Sequence, residues 1–257
     1  MPLIELEKRL ASGGTVSSSM EGSYTLTIPP LPNGKYGLAQ VDDYMHLPRS
    51  KFPHRPPLRL DIEASVSNAD LPGTWGFGFW NDPFSFGFGG GGMVRALPVL
   101  PNAAWFFYGS QANHLSLRDD QPGAGFQVKT FQAPKVPAIF SLFALPVLPF
   151  LLWPTFTRKF RKLARTLVKE DASPITVPVD TWHTYSLEWM ESRVIFSVDK
   201  KVKLETEVSP QGPLGLVIWI DNQYFRLDSG GKVGFGFLKV VQGGWLQVRN
   251  LALVRPK

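Results

Sequence analysis

The sequence predicts an all-β protein, an antiparallel β-sandwich that forms one domain over residues 1–257. Short apolar runs bounded by Gly, Pro, Asn and Asp recur along the chain at the spacing of antiparallel strands. The 24 glycines and 23 prolines suit tight turns between short strands better than long helices. The length of 257 residues, with no linker that divides the chain, fits a single sandwich.

Nine segments are predicted as strands, and one of them shows its two faces directly in the sequence. In 58–66, the aliphatic residues alternate with charged residues and serine, which predicts one buried and one solvated face. The nine segments are 24–28, 58–66, 76–80, 104–108, 183–189, 193–198, 214–220, 233–237 and 245–254.

The segment 216–223 carries the clearest candidate binding residues. Leucine and isoleucine occupy alternate positions up to residue 220 and suit the core, which leaves Trp219, Asp221 and Gln223 on the other face. An aromatic ring beside a carboxylate serves sugar stacking, cation binding or acid–base chemistry. We therefore predict Trp219 and Gln223 as ligand-binding residues and Asp221 as a candidate catalytic group. The alternative is an exposed strand end with a structural Asp-Asn turn.

Further candidates lie near the ends of other predicted strands. Asp42 and Asp43 follow the strand-like run 36–41 and are candidate acid–base groups, as is His114 beyond the aromatic strand. The structural alternatives are a solvated loop for the two aspartates and a loop or capping role for the histidine. Candidate ligand contacts from the aromatic strands and the turn after residue 80 are Trp80, Asn81, Trp105 and Tyr108.

Cysteine and histidine usage excludes several chemistries. The chain has no cysteine, so disulfides, thiol nucleophiles and cysteine-ligated zinc are ruled out. No pair of its four histidines has a metal-ligand spacing on a recognisable element, and we expect no metal and no cofactor. The first residues contain acidic side chains and no sustained apolar core, unlike a secretory signal, so we expect a cytoplasmic protein.

The segment 136–169 departs from the strand pattern. Residues 136–157 contain no charge, but four prolines argue against a membrane-spanning helix and favour a partly inserted loop. Beyond it, Phe156, Phe160, Leu163 and Leu167 recur at helical spacing. Six basic residues are interspersed with them, and their number equals the net charge of +6; they are Arg158, Lys159, Arg161, Lys162, Arg165 and Lys169.

We read this segment as an apolar loop followed by a basic amphipathic helix that contacts an anionic membrane surface. The alternative is a helix that packs its apolar residues on the sandwich. One basic helix without interleaved aromatic residues is poor evidence for nucleic acid, which we do not expect as a partner. The predicted membrane contacts are Phe143, Leu148, Phe150, Trp153, Phe156, Arg158, Lys159, Phe160, Arg161, Lys162 and Arg165.

Three motifs resemble the laminarinase- and lichenase-like glycoside hydrolases of family 16. They are GTWGFGFW at 73–80, WHTYSLEW at 182–189 and VIFSVDK at 194–200. That family carries similar motifs in the same order along the chain. The resemblance implies a concanavalin A-like jelly roll. That family alternates Glu, Asp and Glu along the strand that follows the motif similar to residues 73–80. Here the corresponding residues 103–108 read AAWFFY. Retaining hydrolysis needs two carboxyl groups about 5–5.5 Å apart, so we expect the usual activity of that family to be absent.

These observations leave three functional hypotheses. The first is a peripheral membrane protein that binds an apolar or amphiphilic ligand, such as a lipid, an isoprenoid or a glycolipid, in an aromatic-lined cleft. The second is an enzyme that acts on a hydrophobic small molecule with the aspartates and the histidine as acid and base. The third is a divergent glycoside hydrolase or a carbohydrate-binding module.

Overall fold

In a computed structural model, the chain forms two large antiparallel sheets that stack face to face. The structure describes residues 6–20, 22–83, 97–136, 150 and 153–255. The elements in chain order are β1 (Glu7–Ala11), β2 (Thr15–Met20), β3 (Ser23–Ile28), β4 (Leu38–Asp42), β5 (Leu58–Val66), β6 (Thr74–Trp80), β7 (Ala103–Gly109), β8 (Gly125–Gln132), α1 (Pro154–Leu167), β9 (Lys169–Pro174), β10 (His183–Trp189), β11 (Val194–Val198), β12 (Lys201–Thr206), β13 (Gly215–Asp221), β14 (Gln223–Leu227), β15 (Val233–Phe237) and β16 (Gly244–Val254).

Each large sheet has seven strands among the described residues. The first sheet has the order β1-β4-β13-β6-β7-β8-β9, and the second has the order β12-β11-β10-β5-β16-β3-β2. Strands β14 and β15 form a separate hairpin that continues from the end of β13. The predicted all-β sandwich is confirmed, and its fold is the concanavalin A-like jelly roll.

The main core lies between the two sheets and follows the alternation of each strand. Leu216, Ile218 and Ile220 of β13 are buried there, as predicted. Aromatic side chains join the sheets, with the ring centroids of Phe77 and Tyr185 5.2 Å apart. The alternate residues of the first sheet therefore point away from this core, toward what we call the outer face.

Strands β8 and β9 were not predicted, because their polar residues suggest a solvated segment. The sequence of β9 begins Lys-Glu-Asp, and β8 carries Gln127 and Lys129. Both of these β8 side chains are nevertheless buried, and Lys129 forms an ion pair with the buried Glu170 of β9. A buried polar group that has a partner in space cannot be distinguished in sequence from an exposed one.

The predicted helix exists, but its boundaries and its inward face differ from the prediction. Helix α1 ends at Leu167, and Lys169 begins β9, so the basic run does not continue as a single helix. Thr157 and Arg161 are the buried residues of the helix. Arg161 was predicted to contact a membrane, yet its guanidinium is buried and donates to the Asp119 carboxylate at 2.8 Å.

Some of the predicted membrane contacts cannot be placed. Phe143 and Leu148 lie outside the described residues. In the part of the chain that the structure describes, no helix has the length and apolar character needed to cross a bilayer.

We predict that Gly76→Ala destabilises the fold. A Cβ at this position would lie 2.3 Å from the Phe106 carbonyl oxygen and 2.7 Å from the Trp219 ring. Overpacking of this kind typically costs about 1–3 kcal/mol in the free energy of unfolding, measured by urea denaturation. Gly230→Ala is the matched control, because its Cβ would meet only the Asp228 carboxylate at 3.3 Å and should cost under about 0.5 kcal/mol. Equal stability of Gly76→Ala and the wild type would contradict the close approach.

Candidate functional site

The outer face of the first sheet carries a cluster of three tryptophans. Trp80, Trp105 and Trp219, from β6, β7 and β13, form this tryptophan cluster. The Trp105 ring centroid lies 5.6 Å from that of Trp80 and 5.6 Å from that of Trp219. The rings of Trp80 and Trp219 are parallel within 3°, with centroids 6.2 Å apart. The sheet thus presents a continuous aromatic surface on the side away from the core.

Two glycines of β6 make this convergence possible. Gly76 lies opposite Trp219 in the sheet, and Gly78 lies opposite Trp105. A Cβ on Gly78 would be 2.7 Å from the Cβ of Trp105, and one on Gly76 would touch the Trp219 ring. Because neither glycine has a side chain, the large rings of the adjacent strands can extend over β6.

Two of the three indole nitrogens are held by polar groups of the same face. Trp80 Nε1 donates to Tyr44 Oη at 2.5 Å. Trp219 Nε1 donates to Thr74 Oγ1 at 2.9 Å, and Thr74 Oγ1 donates to Asp221 Oδ1 at 2.8 Å. These bonds fix the orientation of both rings. Trp105 Nε1 is buried and has no hydrogen-bond partner within the described residues.

Asp221 lies at the end of this hydrogen-bonded chain. Burial raises the pKa of its carboxyl to about 7, although hydrogen bonds from the Thr74 hydroxyl and the Gln223 backbone N–H oppose the rise. A carboxyl with this pKa exchanges a proton near neutral pH. The sequence predicts Asp221 and Trp219 on one face of β13. In the structure, Thr74 Oγ1 hydrogen-bonds to both side chains and links them.

Asp42 belongs to a second polar group on the outer face. It accepts a hydrogen bond from Gln40 Nε2 at 2.7 Å and another from the Tyr44 backbone N–H at 3.2 Å. Burial raises the pKa of Asp42, and the Arg9 guanidinium, 3.8 Å away, counteracts that rise. Arg9 and Gln40 were not predicted; the spacing of Gln40 two residues before Asp42 was the available signal for a shared strand face.

Asp43 and the backbone of His114 hold loops in place, and His114 Nε2 is buried without a hydrogen-bond partner among the described residues. Asp43 contacts His54 Nε2 at 2.5 Å and accepts the Leu216 backbone N–H at 2.9 Å, so it fastens a loop to the start of β13. The backbone of His114 pairs with the β14 hairpin through Phe225 and Leu227. Burial is the main cause that lowers the pKa of the His114 imidazole.

Two of the predicted ligand-contact residues, Tyr108 and Asn81, make packing or hydrogen-bond contacts within the protein. Tyr108 faces the core between the sheets, where its ring stacks on Trp75 at 5.4 Å; it lies on the opposite face from Trp105, because their positions differ by an odd number. The Asn81 side-chain amide donates to the Leu100 carbonyl at 2.9 Å, and its oxygen accepts the Asn102 backbone N–H at 3.0 Å. Asn81 therefore holds the turn after β6.

Asp42 and Asp221, the candidate catalytic carboxyls of the outer face, are too far apart to act as a glycosidase pair. Asp42 lies opposite Val217, four residues before Asp221 on β13. At about 3.3 Å per residue their backbones are separated by about 13 Å. Retaining and inverting enzymes place their carboxyls about 5–5.5 Å and about 6.5–9.5 Å apart. Asp42 and Asp221 therefore do not form a convergent acid and nucleophile; Glu7, directly opposite Asp42 in the sheet, pairs with His46 at 2.8 Å.

The tryptophan cluster is largely covered in this structure. Trp105 is 9% exposed and Trp219 is 7% exposed, and Trp80 is half-buried. Apolar residues from the loop after β4 and from the loops on either side of β7 join the same cluster: Tyr44, Leu47, Phe52, Leu100, Leu115 and Leu117. The predicted aromatic lining is present, but the described loops close much of it where an open cleft was expected.

An aromatic rim at one end of the outer face does reach solvent. Tyr36 contacts Phe237 of the β14–β15 hairpin, with ring centroids 4.9 Å apart, and Phe235 contacts Phe237 at 5.5 Å. Gln223 lies directly opposite Phe237 in the hairpin. Burial raises the pKa of Tyr36, and the nearby Asp221 raises it further. The rim therefore adjoins the end of the outer face that carries Asp221. The signal for the rim in the sequence is the alternation of Gly and Phe at 234–237.

A buried ion pair supports the loop beside the tryptophan cluster. Lys129 Nζ lies 3.0 Å from the Glu170 carboxylate, which also accepts the Leu117 backbone N–H at 2.8 Å and the Ser116 hydroxyl. Arg161 of α1 donates to the carbonyls of Ser116 and Leu117 at 3.0 Å. Burial lowers the pKa of Lys129, and Glu170 opposes this shift. The loop, β9 and the helix are joined through these charges.

The comparisons with known proteins concern the fold. No protein-family model and no curated protein matches the sequence. Among solved structures, an endo-β-1,4-glucuronan lyase from the fungus Trichoderma reesei is 11% identical with a TM-score of 0.50, covering 97% of this chain and 90% of its own. At this identity the likeness extends to the fold alone.

Two further structures are similar at lower scores. A β-glucanase from Bacillus licheniformis is 11% identical with a TM-score of 0.47, covering 98% of this chain and 92% of its own. A family 16 protein from a Bacteroides ovatus mixed-linkage glucan locus is 12% identical with a TM-score of 0.46, covering 94% and 85%. Among the described residues no group of acidic and histidine side chains is arranged to hold a metal ion.

We predict that Asp221 makes stability fall as the pH rises. Between about pH 4 and pH 7 the folded protein keeps a proton on Asp221 that the unfolded chain has released, so the free energy of unfolding decreases over this range. A rise of about three pKa units corresponds to about 4 kcal/mol. Asp221→Asn should remove this slope in urea denaturation across the range, whereas the exposed Asp180→Asn should not. Identical slopes for Asp221→Asn and the wild type would contradict the prediction.

We predict that Lys129 and Glu170 are strongly coupled. Lys129→Met leaves a buried carboxylate without its cation and should cost about 3–5 kcal/mol in the free energy of unfolding. Adding Glu170→Gln should recover more than about 1 kcal/mol, because the amide is neutral and still accepts the Leu117 N–H. Chemical denaturation of the two single variants and the double variant measures the coupling. Additive losses would show that the pair is not coupled.

Proposed function

We propose that the protein binds a glycan across the outer face of the first sheet. The observation that carries the proposal is the parallel pair Trp80 and Trp219, oriented by hydrogen bonds to Tyr44 and Thr74, with the Trp219 ring extending over Gly76. Sugar rings present C–H groups on one face and hydroxyls at the edge, so an aromatic surface beside polar groups suits them. We assign direct contact to Trp80 and to the exposed rim, with Trp105 and Trp219 supporting them.

The polar groups of the outer face suit hydroxyl recognition. Gln40, Asp42 and Arg9 lie on one side of Trp219, and Thr74 and Asp221 lie on the other. Amide, carboxyl and guanidinium groups accept from and donate to sugar hydroxyls. The Nε and Nη2 atoms of Arg9 are buried and have no hydrogen-bond partner within the described residues, so they have unused donor capacity next to this face.

Binding without hydrolysis is the simplest activity for this arrangement. The carboxyls of Asp42, Asp43 and Asp221 already have hydrogen-bond partners, and Asp42 and Asp221 are separated by several residues of strand. The known structure with the highest score of those described above is named as a lyase of an acidic polysaccharide. Its name suggests a polyglucuronate as the first probe, and a neutral mixed-linkage β-glucan is the matched uncharged probe.

An amphiphilic ligand is the second candidate, and a specific observation favours it. The apolar residues that cover Trp105 and Trp219 make the interior of the outer face dry, which suits an apolar chain better than a bare polysaccharide. A glycolipid would use both the dry interior and the polar rim. Competition distinguishes the two candidates. If the ligand is a glycolipid, a detergent or lipid chain competes with the glycan for the same site.

We expect Trp80→Ala to weaken glycan binding about tenfold or more, which corresponds to about 1.4 kcal/mol. Isothermal titration with polyglucuronate and with mixed-linkage β-glucan measures the affinity, and circular dichroism checks the fold. Trp182→Ala is the matched control, because Trp182 is exposed, lies away from the outer face and packs under Arg249. Phe235→Ala tests the rim separately.

Two results would contradict the proposal. One is a wild-type protein that binds neither polysaccharide. The other is an equal loss of affinity in Trp80→Ala and Trp182→Ala, which would place binding elsewhere. Competition by a short-chain detergent at the same site would favour the amphiphilic ligand.

A further inference from the structure

We propose that the exposed side of helix α1 docks on an anionic lipid bilayer. This side, which we call the helix surface, combines an apolar stripe with four basic side chains. Trp153, Leu163 and Leu167 are 64%, 60% and 47% exposed. Arg158, Lys159, Lys162 and Arg165 are also exposed, and Lys159 is the one nearest to the apolar stripe around the helix. The proposal is independent of glycan binding on the outer face.

The apolar stripe is not part of the core, because other residues hold the helix to the sandwich. Thr157 and Arg161 are the buried residues of α1, and Arg161 donates three hydrogen bonds to the loop 116–119. At about 100° per residue, Phe156, Phe160, Leu163 and Leu167 share an arc of about 60° that lies beside this inward face. A helix fixed through a buried arginine thus leaves two leucines in water.

Exposed apolar side chains of this size call for a partner. Isolated exposed apolar residues are ordinary, but here they are contiguous and flanked by cations. Phe150 extends the stripe, with its ring centroid 5.6 Å from that of Trp153 and 5.7 Å from that of Phe156. Two half-buried phenylalanines, Phe156 and Phe160, and four exposed residues therefore form one strip along the helix.

The charges identify the chemistry of the partner. None of Arg158, Lys159, Lys162 and Arg165 forms an ion pair with another of the described residues, so their charges are available. Lys159 and Lys162 follow the apolar strip around the helix, with Arg158 and Arg165 beyond them, and this sequence of apolar and cationic groups complements negative headgroups over a hydrocarbon layer. A soluble acidic protein would match the charges alone, whereas a bilayer matches both the charges and the strip.

A shallow hollow at the start of the helix adds a feature suited to a lipid. Its volume is about 390 Å³, and its lining is largely apolar; Trp153, Phe156 and Lys159 contribute to it. Tryptophan favours the boundary between headgroups and hydrocarbon. A lysine ammonium beside an apolar hollow places a cation at the level of a lipid phosphate when the indole enters that boundary.

Vesicle flotation of the full chain tests the proposal. We expect the wild type to float with phosphatidylcholine vesicles that contain phosphatidylserine and to stay behind with phosphatidylcholine alone. Flotation should fall as salt is raised from about 0.1 M to about 1 M, because the Debye length drops from about 10 Å to about 3 Å. Lys159→Gln/Lys162→Gln should lower the partition coefficient about tenfold. Leu163→Gln/Leu167→Gln should do the same while leaving the folded state intact.

Matched controls separate the helix surface from charge or hydropathy in general. Lys200→Gln/Lys201→Gln removes two exposed lysines on the turn between β11 and β12, and Val241→Gln removes another exposed apolar residue. We expect both controls to float like the wild type. All of these variants should keep the polysaccharide affinity of the wild type, so failure here is distinguishable from failure of the proposed glycan binding.

Three results would overturn the proposal. The first is a wild type that does not float with anionic vesicles. The second is an equal loss of flotation in the control lysine variant. The third is a dimer that depends on Leu163, detected by light scattering, from a protein that ignores vesicles; the helix surface would then be a contact between two copies of the chain.

Discussion

The close approach of tryptophans across the glycines of β6 is the constraint on which the outer face depends. Gly76 and Gly78 remove side chains from the middle strand, and Trp105 and Trp219 occupy the space over it. The sheet around β6 is consequently apolar on both sides, with the inter-sheet core on one and the tryptophan cluster on the other. A sheet buried on both faces needs loops to cover its second face, and the loops after β4 and β7 supply apolar residues for this purpose.

The covering loops are held by charge as well as by apolar contact. Glu170 receives Lys129 from the same sheet and two donors from the loop 115–118, and Arg161 binds the carbonyls of that loop from the helix. Removing one partner would leave a buried charge uncompensated, which is far more costly than exchanging the whole pair. The ion pair therefore anchors the loop that α1 contacts through Arg161, and the same loop contributes Leu115 and Leu117 beside the tryptophan cluster.

The helix illustrates how a correct pattern can lead to an incomplete structure. Periodicity correctly indicated a helix, since the spacing of side chains on one side follows from the geometry of the helical backbone. It gave no information on which stripe faces the protein. Arg161 lies in the basic run, but three acceptors in space select it as the buried contact, and the leucines are left exposed. The partner carboxylate and carbonyls lie more than forty residues away in the chain, so no local pattern contains them.

The sequence alone determined the strand-rich fold class, the buried face of β13 and the presence of Trp219 and Asp221 on its other face, because these follow from alternation within one strand. Tertiary structure alone decided that Thr74 links those two residues, that Arg9 and Gln40 accompany Asp42, and that Asp43 fastens a loop. It also decided that Tyr36 and the hairpin form a rim. Each of these depends on strands that are distant in sequence and adjacent in the sheet, and their adjacency is fixed by the packing of the whole sandwich.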